Sequence, residues 1–243
     1  MNVFTLNLTN ENVTLTAYIP DLSPEMPNMD RKKAILVIPG GAYKFCSDRE
    51  AEPVALKFLS MGFAAFILRY SLNEDSAFPK PLNDAEEAIE LMRKNADEWH
   101  IYPDKIAAIG FSAGGHLTAA VSTMGRVRPN AQILGYPCIL EKIGAILATP
   151  IPGLDKEVED KTPPAFIFAA YEDGAVPIEN SLEYARALRQ KKVPFEMHIY
   201  QTGYHGFSTA EKTVYDRESD YEYNAHCKNW FDMCITWLEK LFG

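Results

Sequence analysis

The sequence has little positive charge and no long apolar run. Its 243 residues include 24 Lys and Arg against 33 Asp and Glu, a formal net charge of -9. This excess of acid disfavours binding to the phosphate backbone of nucleic acid or to an anionic membrane surface. The longest uninterrupted apolar stretches have about six residues, far fewer than the roughly 20 that span a bilayer. We therefore predict neither a nucleic acid partner nor a membrane partner.

Cysteine is scarce as well. The spacing of the four cysteines fits no zinc site, and four are too few for a disulfide scaffold in a chain of this length. We therefore expect reduced thiols and no metal. The first residues also lack the basic and then apolar pattern of a secretory signal. This predicts a cytoplasmic protein, or one whose export signal is missing from this sequence. The cysteines are Cys46, Cys138, Cys227 and Cys234.

Apolar side chains are plentiful. Hydrophobic residues make up 47% of the chain and aromatic residues 12%, so burial can offset the ordering entropy and a disordered chain is excluded. No repeat, low-complexity tract or linker divides the sequence. We predict a single domain over residues 1–243.

Two kinds of strand pattern occur along the chain. Residues 3–8 and 13–19 alternate around a turn, which predicts an antiparallel hairpin. Later apolar runs do not alternate, which is typical of strands buried on both faces of a parallel sheet. Because amphipathic helical stretches separate these runs, the predicted fold class is α/β, with a mostly parallel, doubly wound sheet and an antiparallel N-terminal edge. The runs lie at 34–38, 63–68, 106–110, 131–136 and 165–170, with a mixed strand at 195–200, and the helical stretches at 52–61, 81–99, 113–124, 180–192 and 224–242.

A Gly-x-Ser-x-Gly motif stands between one of these strands and a helix. It runs from Gly110 to Gly114 with Ser112 at its centre. A turn this sharp from strand to helix puts the serine in a strained backbone conformation, and side chains two residues to either side would collide. The hydroxyl of Ser112 is thereby lifted clear of the sheet, which predicts a nucleophile.

A serine hydroxyl is a weak nucleophile and needs a base within hydrogen-bond reach. His205 lies between glycines in the loop after the last strand, which can turn back over the strand ends. His116 follows Ser112 in the same helix, where we expect packing or hydrogen bonding under the site. The remaining histidines are expected to pack or to lie at the surface: His100, His198 and His226.

The base in turn needs a carboxylate that accepts its second N-H. Asp173 follows the strand at 165–170 and is favoured over its neighbour Glu172. The chain order Ser112, Asp173, His205 is the order of an α/β-hydrolase sheet.

Attack on a carbonyl creates an oxyanion that needs N-H donors. One candidate is the amide of Ala113, at the start of the helix. The other lies in the loop after the strand at 34–38, where the amide of either Gly41 or Ala42 can turn toward the serine. The sequence leaves the choice between these two open.

The sequence resembles the α/β-hydrolase esterases, from about residue 32 to the end. More narrowly, it resembles the small lipase/esterase branch that includes acetyl esterases and acetyl-xylan-esterase-like proteins. The resemblance implies an α/β-hydrolase fold, hydrolysis of short acyl esters of small molecules, and no metal or organic cofactor. The residues that carry it are Pro-Gly-Gly-Ala-Tyr at 39–43, Gly-Phe-Ser-Ala-Gly-Gly-His at 110–116, Asp-Gly-Ala-Val-Pro at 173–177 and His-Gly-Phe at 205–207.

The sequence departs from the His-Gly-Gly-Gly oxyanion signature of the hormone-sensitive-lipase branch, because Pro39 replaces the histidine and Ala42 the third glycine. This departure affects the donor assignment and leaves the triad intact.

The pocket is predicted to be compact. The connection over 139–164 is too short for a large lid and allows a small flap, which favours small water-soluble esters; acetylated sugars follow from the resemblance alone. Four aromatic residues are expected either to line this pocket or to serve as core and rim residues: Tyr43, Phe111, Tyr136 and Tyr204.

Two other functions compete with an esterase. A peptidase of the prolyl-oligopeptidase type has a similar catalytic domain, although such enzymes usually carry an additional propeller or gating domain. A non-catalytic ligand-binding protein on the same fold would lack a triad member, whereas this chain retains all three. The charged segment 209–224 is expected to be a solvated loop, with a subunit contact in a homo-oligomer as the alternative.

Overall fold

The computed structural model describes all 243 residues, which form one sheet of eight strands with helices on both faces. The strands are β1 (Asn2–Asn7), β2 (Thr14–Ile19), β3 (Lys32–Ile38), β4 (Ala64–Arg69), β5 (Ile101–Phe111), β6 (Ala131–Gly135), β7 (Ala165–Ala170) and β8 (Phe195–Tyr200). The α-helices are α1 (Glu52–Ser60), α2 (Lys80–Lys94), α3 (Ser112–Thr123), α4 (Glu179–Gln190), α5 (Glu218–Asn224) and α6 (Trp230–Phe242).

The order of the strands in the sheet is β1-β2-β4-β3-β5-β6-β7-β8. The pairs β1-β2 and β2-β4 are antiparallel, and every other pair is parallel. This confirms the predicted parallel sheet with an antiparallel N-terminal edge. It also places β5 between β3 and β6, so the carboxyl end of β5 lies at the middle of the sheet.

Two apolar cores explain why the central strands do not alternate in sequence. Within β3, Leu36 packs into the core that contains Leu117 of α3, whereas its neighbour Val37 packs into the core with Trp230 of α6. Both faces of the strand are therefore covered, and apolar residues are needed at consecutive positions. The central residues of β3 are fully buried.

The main differences from the predicted elements lie near the C-terminus. The segment 209–224 was expected to be a loop but contains α5, and the terminal helix begins at Trp230 instead of at 224 because residues 225–229 form a 3-10 turn. Asn224 is the last residue of α5, and its Oδ1 accepts the backbone N-H of Tyr204, in the loop after β8, at 2.8 Å. All four cysteines are unpaired. None of the helices is long and apolar enough to cross a membrane.

Candidate active site

Ser112 occupies the sharp turn between β5 and α3. Its φ is +52°, in the left-handed region that side chains disfavour. A Cβ on Gly110 would lie 2.1 Å from the carbonyl oxygen of Gly114, and a Cβ on Gly114 would lie 2.1 Å from that of Ile38. These are collisions with backbone atoms, so glycine is required at both positions. The turn is the strained strand-to-helix turn that the motif predicts.

Three distant side chains meet above this turn. The hydroxyl of Ser112 is 2.8 Å from Nε2 of His205, and Nδ1 of His205 is 2.7 Å from Oδ2 of Asp173. Because a carboxylate only accepts, Nδ1 carries the proton, and Nε2 is left to accept the serine O-H. The structure thus brings together the three residues that the sequence selects, in one line of hydrogen bonds.

Asp173 is held from its other side. Its Oδ1 accepts the backbone N-H groups of Ala175 and Val176 at 2.9 Å each, and its side chain is 1% exposed. The neighbouring Glu172 instead points outward and accepts a hydrogen bond from the phenol of Tyr223. The two adjacent acids therefore have different environments, and only Asp173 contacts the imidazole.

His116 is buried beneath the site. Its Nδ1 is 2.8 Å from the phenol oxygen of Tyr43, and its Nε2 is 3.1 Å from the carbonyl oxygen of Pro152. The carbonyl can only accept, so Nε2 donates and Nδ1 accepts from the phenol. Burial lowers the pKa of His116 to about 4. A histidine that stays neutral and uses both nitrogens fits the expected packing role.

The loop after β3 (residues 39–43), which we call the oxyanion loop, lies beside Ser112: a Cβ on Gly40 would be 3.1 Å from the Cβ of Ser112. Gly41 has a φ of +129°, and Ala42 and Tyr43 have φ of +55° and +60°. Gly41 and Ala42 both line the cavity at the serine. Ala113 lies in the first turn of α3, where N-H groups have no partner within the helix. The predicted oxyanion donors therefore lie around the nucleophile, and the choice between Gly41 and Ala42 stays open.

A cavity of about 250 Å³ opens at the hydroxyl of Ser112. Its apolar wall includes Phe45, Ile146 and Leu147, and its polar groups include Arg49 and Glu50. The full lining consists of Gly41, Ala42, Phe45, Ser47, Arg49, Glu50, Ser112, Cys138, Ile146, Leu147, Ala175, Val176, His205 and Gly206.

None of the four aromatic residues expected in the pocket lines this cavity. Tyr43 and Phe111 are fully buried, because their side chains point into the two cores. Tyr136 lies behind His205, with ring centroids 5.0 Å apart. Tyr204 is half exposed and stacks on Tyr223 at 4.3 Å. The four residues are therefore core and rim residues, which was the alternative prediction. The sequence could not decide between the two, because sequence position gives no side-chain direction.

The cavity residues that sequence reasoning missed lie mostly in two loops. Phe45, Arg49 and Glu50 follow the oxyanion loop, and Ile146 and Leu147 belong to the flap. For Phe45, Arg49 and Glu50, the one signal in the sequence is that they closely follow the glycine-rich oxyanion loop. The flap is also tied to the oxyanion loop, since the N-H of Ala148 donates to the carbonyl of Ala42 at 2.9 Å.

Comparison with known proteins identifies the relatives of the chain. Residues 21–133 match the family model BD-FAE, and residues 149–230 match the model of the prolyl oligopeptidase family. The chain is 34% identical over 238 residues to endo-1,4-beta-xylanase B of Butyrivibrio fibrisolvens and 33% identical over 226 residues to the acetylxylan esterase of Xylanibacter ruminicola. These matches cover 85% and 84% of this chain but 38% and 46% of the relatives, so the chain spans less than half the length of each.

A solved structure extends the similarity to the whole chain. It is MGS-M1, an alpha/beta hydrolase enzyme from a Medee basin deep-sea metagenome library, with 43% identity and a TM-score of 0.93. The match covers 99% of this chain and 98% of that one. Fold and sequence similarity therefore coincide over the full set of elements that position the candidate site.

Proposed function

The chain belongs to the α/β-hydrolase family of esterases, which are carboxylic ester hydrolases, and we propose that it hydrolyses small, short-chain acyl esters through Ser112, His205 and Asp173. The observation that carries this proposal is the unbroken line of hydrogen bonds from Asp173 to Ser112, with 2.7 Å and 2.8 Å between the bonded atoms.

The first half of the reaction transfers the acyl group to the protein. Oγ of Ser112 attacks the ester carbonyl while Nε2 of His205 takes the hydroxyl proton, and Asp173 stabilises the imidazolium through Nδ1. The amides of Ala113 and of Gly41 or Ala42 hold the developing oxyanion. When the tetrahedral intermediate collapses, the alcohol leaves with the proton from His205, and the acyl group stays on Ser112.

The second half releases the acid. A water molecule gives a proton to Nε2 of His205 as its oxygen attacks the acyl carbonyl, and the same amides hold the second oxyanion. Collapse of this intermediate breaks the bond to Oγ of Ser112, which recovers its proton from His205. One ester and one water molecule are consumed, and the three side chains return to their starting protonation states.

The size of the cavity supports an acetyl or similarly short acyl group. A volume of about 250 Å³ falls below the usual range of pockets for drug-sized ligands, roughly 300 to 1,000 Å³. The name of the Xylanibacter relative supports an acetylated carbohydrate as the substrate. Three further statements stay predictions from the sequence: assembly into a homo-oligomer, a location in the cytoplasm, and a single domain.

The decisive experiment measures hydrolysis of 4-nitrophenyl esters with acyl chains from two to twelve carbons, and acetate release from acetylated xylo-oligosaccharides. We expect acetate to be the preferred acyl group and Ser112→Ala to abolish both activities. A fluorophosphonate probe should label the wild-type protein and not this variant. Absence of both labelling and hydrolysis in the wild type would favour a non-catalytic ligand-binding protein.

A peptidase is the second candidate, because residues 149–230 match the prolyl oligopeptidase family. The same triad can attack an amide carbonyl, with the amine leaving in place of the alcohol. Prolyl and N-acyl-aminoacyl 4-nitroanilides test this candidate beside 4-nitrophenyl acetate. Faster turnover of an anilide than of the acetate would reverse the assignment.

A further inference from the structure

Glu50 is a buried carboxylate that the reaction described above does not use. It is the last residue of a 3-10 turn, Asp48–Glu50, and is 3% exposed. Glutamate is almost never fully buried without a charged partner, yet both of its hydrogen-bond donors are neutral. Oε2 accepts the backbone N-H of Gly40 at 2.8 Å, and Oε1 accepts the phenol of Tyr136 at 2.6 Å.

The first partner belongs to the oxyanion loop. Gly40 immediately precedes Gly41 and Ala42, and a Cβ on Gly40 would lie 2.7 Å from Oε2 of Glu50 and 2.7 Å from the carbonyl oxygen of Phe111. The carboxylate therefore approaches the backbone at a distance that only glycine permits. The carboxylate of Glu50 thus fixes the residue that directly precedes the candidate donors.

The second partner, Tyr136, contacts the loop after β8 that carries His205 (residues 201–208), which we call the histidine loop. The phenol oxygen of Tyr136 accepts the backbone N-H of Ser208 at 2.9 Å, and the Tyr136 ring meets the ring of His205 nearly edge-on, with centroids 5.0 Å apart. One carboxylate is thus connected to the oxyanion loop through one oxygen and to the loop of the base through the other.

Most groups around Glu50 are neutral, and Arg49 is the cation beside it: a Cβ on Gly206 would lie 3.3 Å from Nη2 of Arg49 and 4.0 Å from Oε1 of Glu50. Burial raises the pKa of the nearby Tyr136 phenol well above its ordinary value, and it raises the pKa of the Cys46 and Cys138 thiols to about 11 and about 12, so these groups are neutral near pH 7. Tyr70, raised by the same cause, is also neutral. The charged groups that face this region are Asp173, the exposed Arg49 at the cavity rim, and Arg69, which is paired with Asp48 and Glu52.

We propose that Glu50 is a positioning residue that aligns the oxyanion loop with the histidine loop. This inference rests on the proposed function, because the alignment serves the attack by Ser112. A misaligned donor or base weakens the transition state and not the binding of the substrate, so it lowers kcat and leaves KM nearly unchanged.

Substitutions can separate the length of the side chain from its two hydrogen bonds. Glu50→Gln keeps the length but has one acceptor oxygen for two donors, and Glu50→Asp keeps both acceptor oxygens but shortens the side chain. Tyr136→Phe removes the link to Ser208 and keeps the carboxylate. The matched control is Glu52→Gln, which makes the same change of net charge two residues away, at a side chain that is 42% exposed and paired with Arg69.

The experiment measures kcat and kcat/KM for 4-nitrophenyl acetate from pH 5 to 9, together with the rate at which a fluorophosphonate labels Ser112. In Glu50→Gln we expect kcat to fall by roughly ten- to a hundredfold, since a misplaced donor or base costs about this much. KM should stay within about twofold of the wild type, because the substrate contacts are unchanged. Tyr136→Phe and Glu50→Asp should also lower kcat at nearly constant KM, whereas Glu52→Gln should change neither.

The proposal is overturned if Glu50→Gln has the kcat of the wild type, if its loss lies in KM alone, or if Glu52→Gln lowers kcat equally. Should Glu50→Gln fail to give a thermal unfolding transition, Tyr136→Phe and Glu50→Asp decide the proposal, and a wild-type kcat and labelling rate in both would refute it. A wild-type protein that hydrolyses no ester contradicts the proposed function instead. Labelling of Ser112 still tests Glu50 in that case.

Discussion

Replacing Asp173 with asparagine should disable the candidate base while leaving the fold unchanged. Oδ1 of Asp173 accepts two backbone N-H groups, from Ala175 and Val176, at 2.9 Å each. An asparagine must keep its carbonyl oxygen at this position, because its NH₂ group cannot accept from two donors. The NH₂ group then faces Nδ1 of His205, at the place where Oδ2 accepts in the wild type.

This orientation forces the wrong tautomer on the imidazole. With a donor opposite it, Nδ1 of His205 becomes the acceptor and Nε2 carries the proton, so Nε2 cannot take the proton of Ser112. In the corresponding serine protease substitution the loss in kcat is about 10⁴-fold, equivalent to about 5.5 kcal/mol of transition-state stabilisation. We expect a loss of this order here, since the backbone donors prevent the amide from flipping.

The assay is kcat/KM for 4-nitrophenyl acetate, with thermal unfolding as the check on the fold. The matched control is Glu172→Gln, the same chemical change at the adjacent acid, whose carboxylate contacts Tyr223 and not the imidazole. We expect this control to keep its activity within about threefold, as for most surface substitutions. A loss below a hundredfold in Asp173→Asn, or an equal loss in Glu172→Gln, would refute the assignment of Asp173.

Three further predictions concern stability and substrate size. Gly114→Ala should lower the free energy of unfolding by about 3 kcal/mol or more, because its Cβ would lie 2.1 Å from a backbone oxygen. Gly174→Ala should be tolerated, because no atom lies within 4 Å of the added Cβ. Equal urea midpoints for the two variants would contradict this prediction. Burial lowers the pKa of His116 to about 4 from 6.5, so the folded state binds fewer protons than the unfolded state as pH falls below 6.5. From pH 7.5 to 5 the free energy of unfolding, measured in urea, should fall by about 2 kcal/mol more in the wild type than in His116→Gln. Equal losses in the two proteins would exclude the lowered pKa of His116 as the cause. Leu147 lines both the cavity and a neighbouring groove of about 860 Å³. Leu147→Ala should therefore raise the rate on 4-nitrophenyl hexanoate relative to acetate, and an unchanged ratio would place the acyl group elsewhere.

The catalytic candidates were predictable because backbone geometry restricts them. The glycines around Ser112 are required by collisions with backbone atoms, and a requirement of this kind leaves a motif in the sequence. His205 and Asp173 could be selected because the ends of parallel strands meet at one edge of the sheet. The fold was predictable for a similar reason, since burial of both strand faces produces apolar runs without alternation.

The pocket was not predictable, because it depends on side-chain direction and on loop packing. Tyr136 follows a strand end as Asp173 does, yet its ring lies behind the imidazole and its hydroxyl reaches Glu50. Helix α5 was missed although its residues make contacts outside their own segment, such as the stacking of Tyr223 on Tyr204. Neither the run of charges nor the local periodicity records these contacts.

The oxyanion loop shows how such tertiary contacts maintain a conformation that local preference opposes. Ala42 and Tyr43 both have positive φ, which costs about 1 to 3 kcal/mol for each residue other than glycine. The loop is held at one end by the bond from Gly40 to Glu50 and at the other by the bond from Tyr43 to His116. Between them, the flap donates to the carbonyl of Ala42. Because three separate parts of the chain hold the loop, it is ordered beside Ser112 before any substrate binds, and less of the binding energy is needed to fix its conformation.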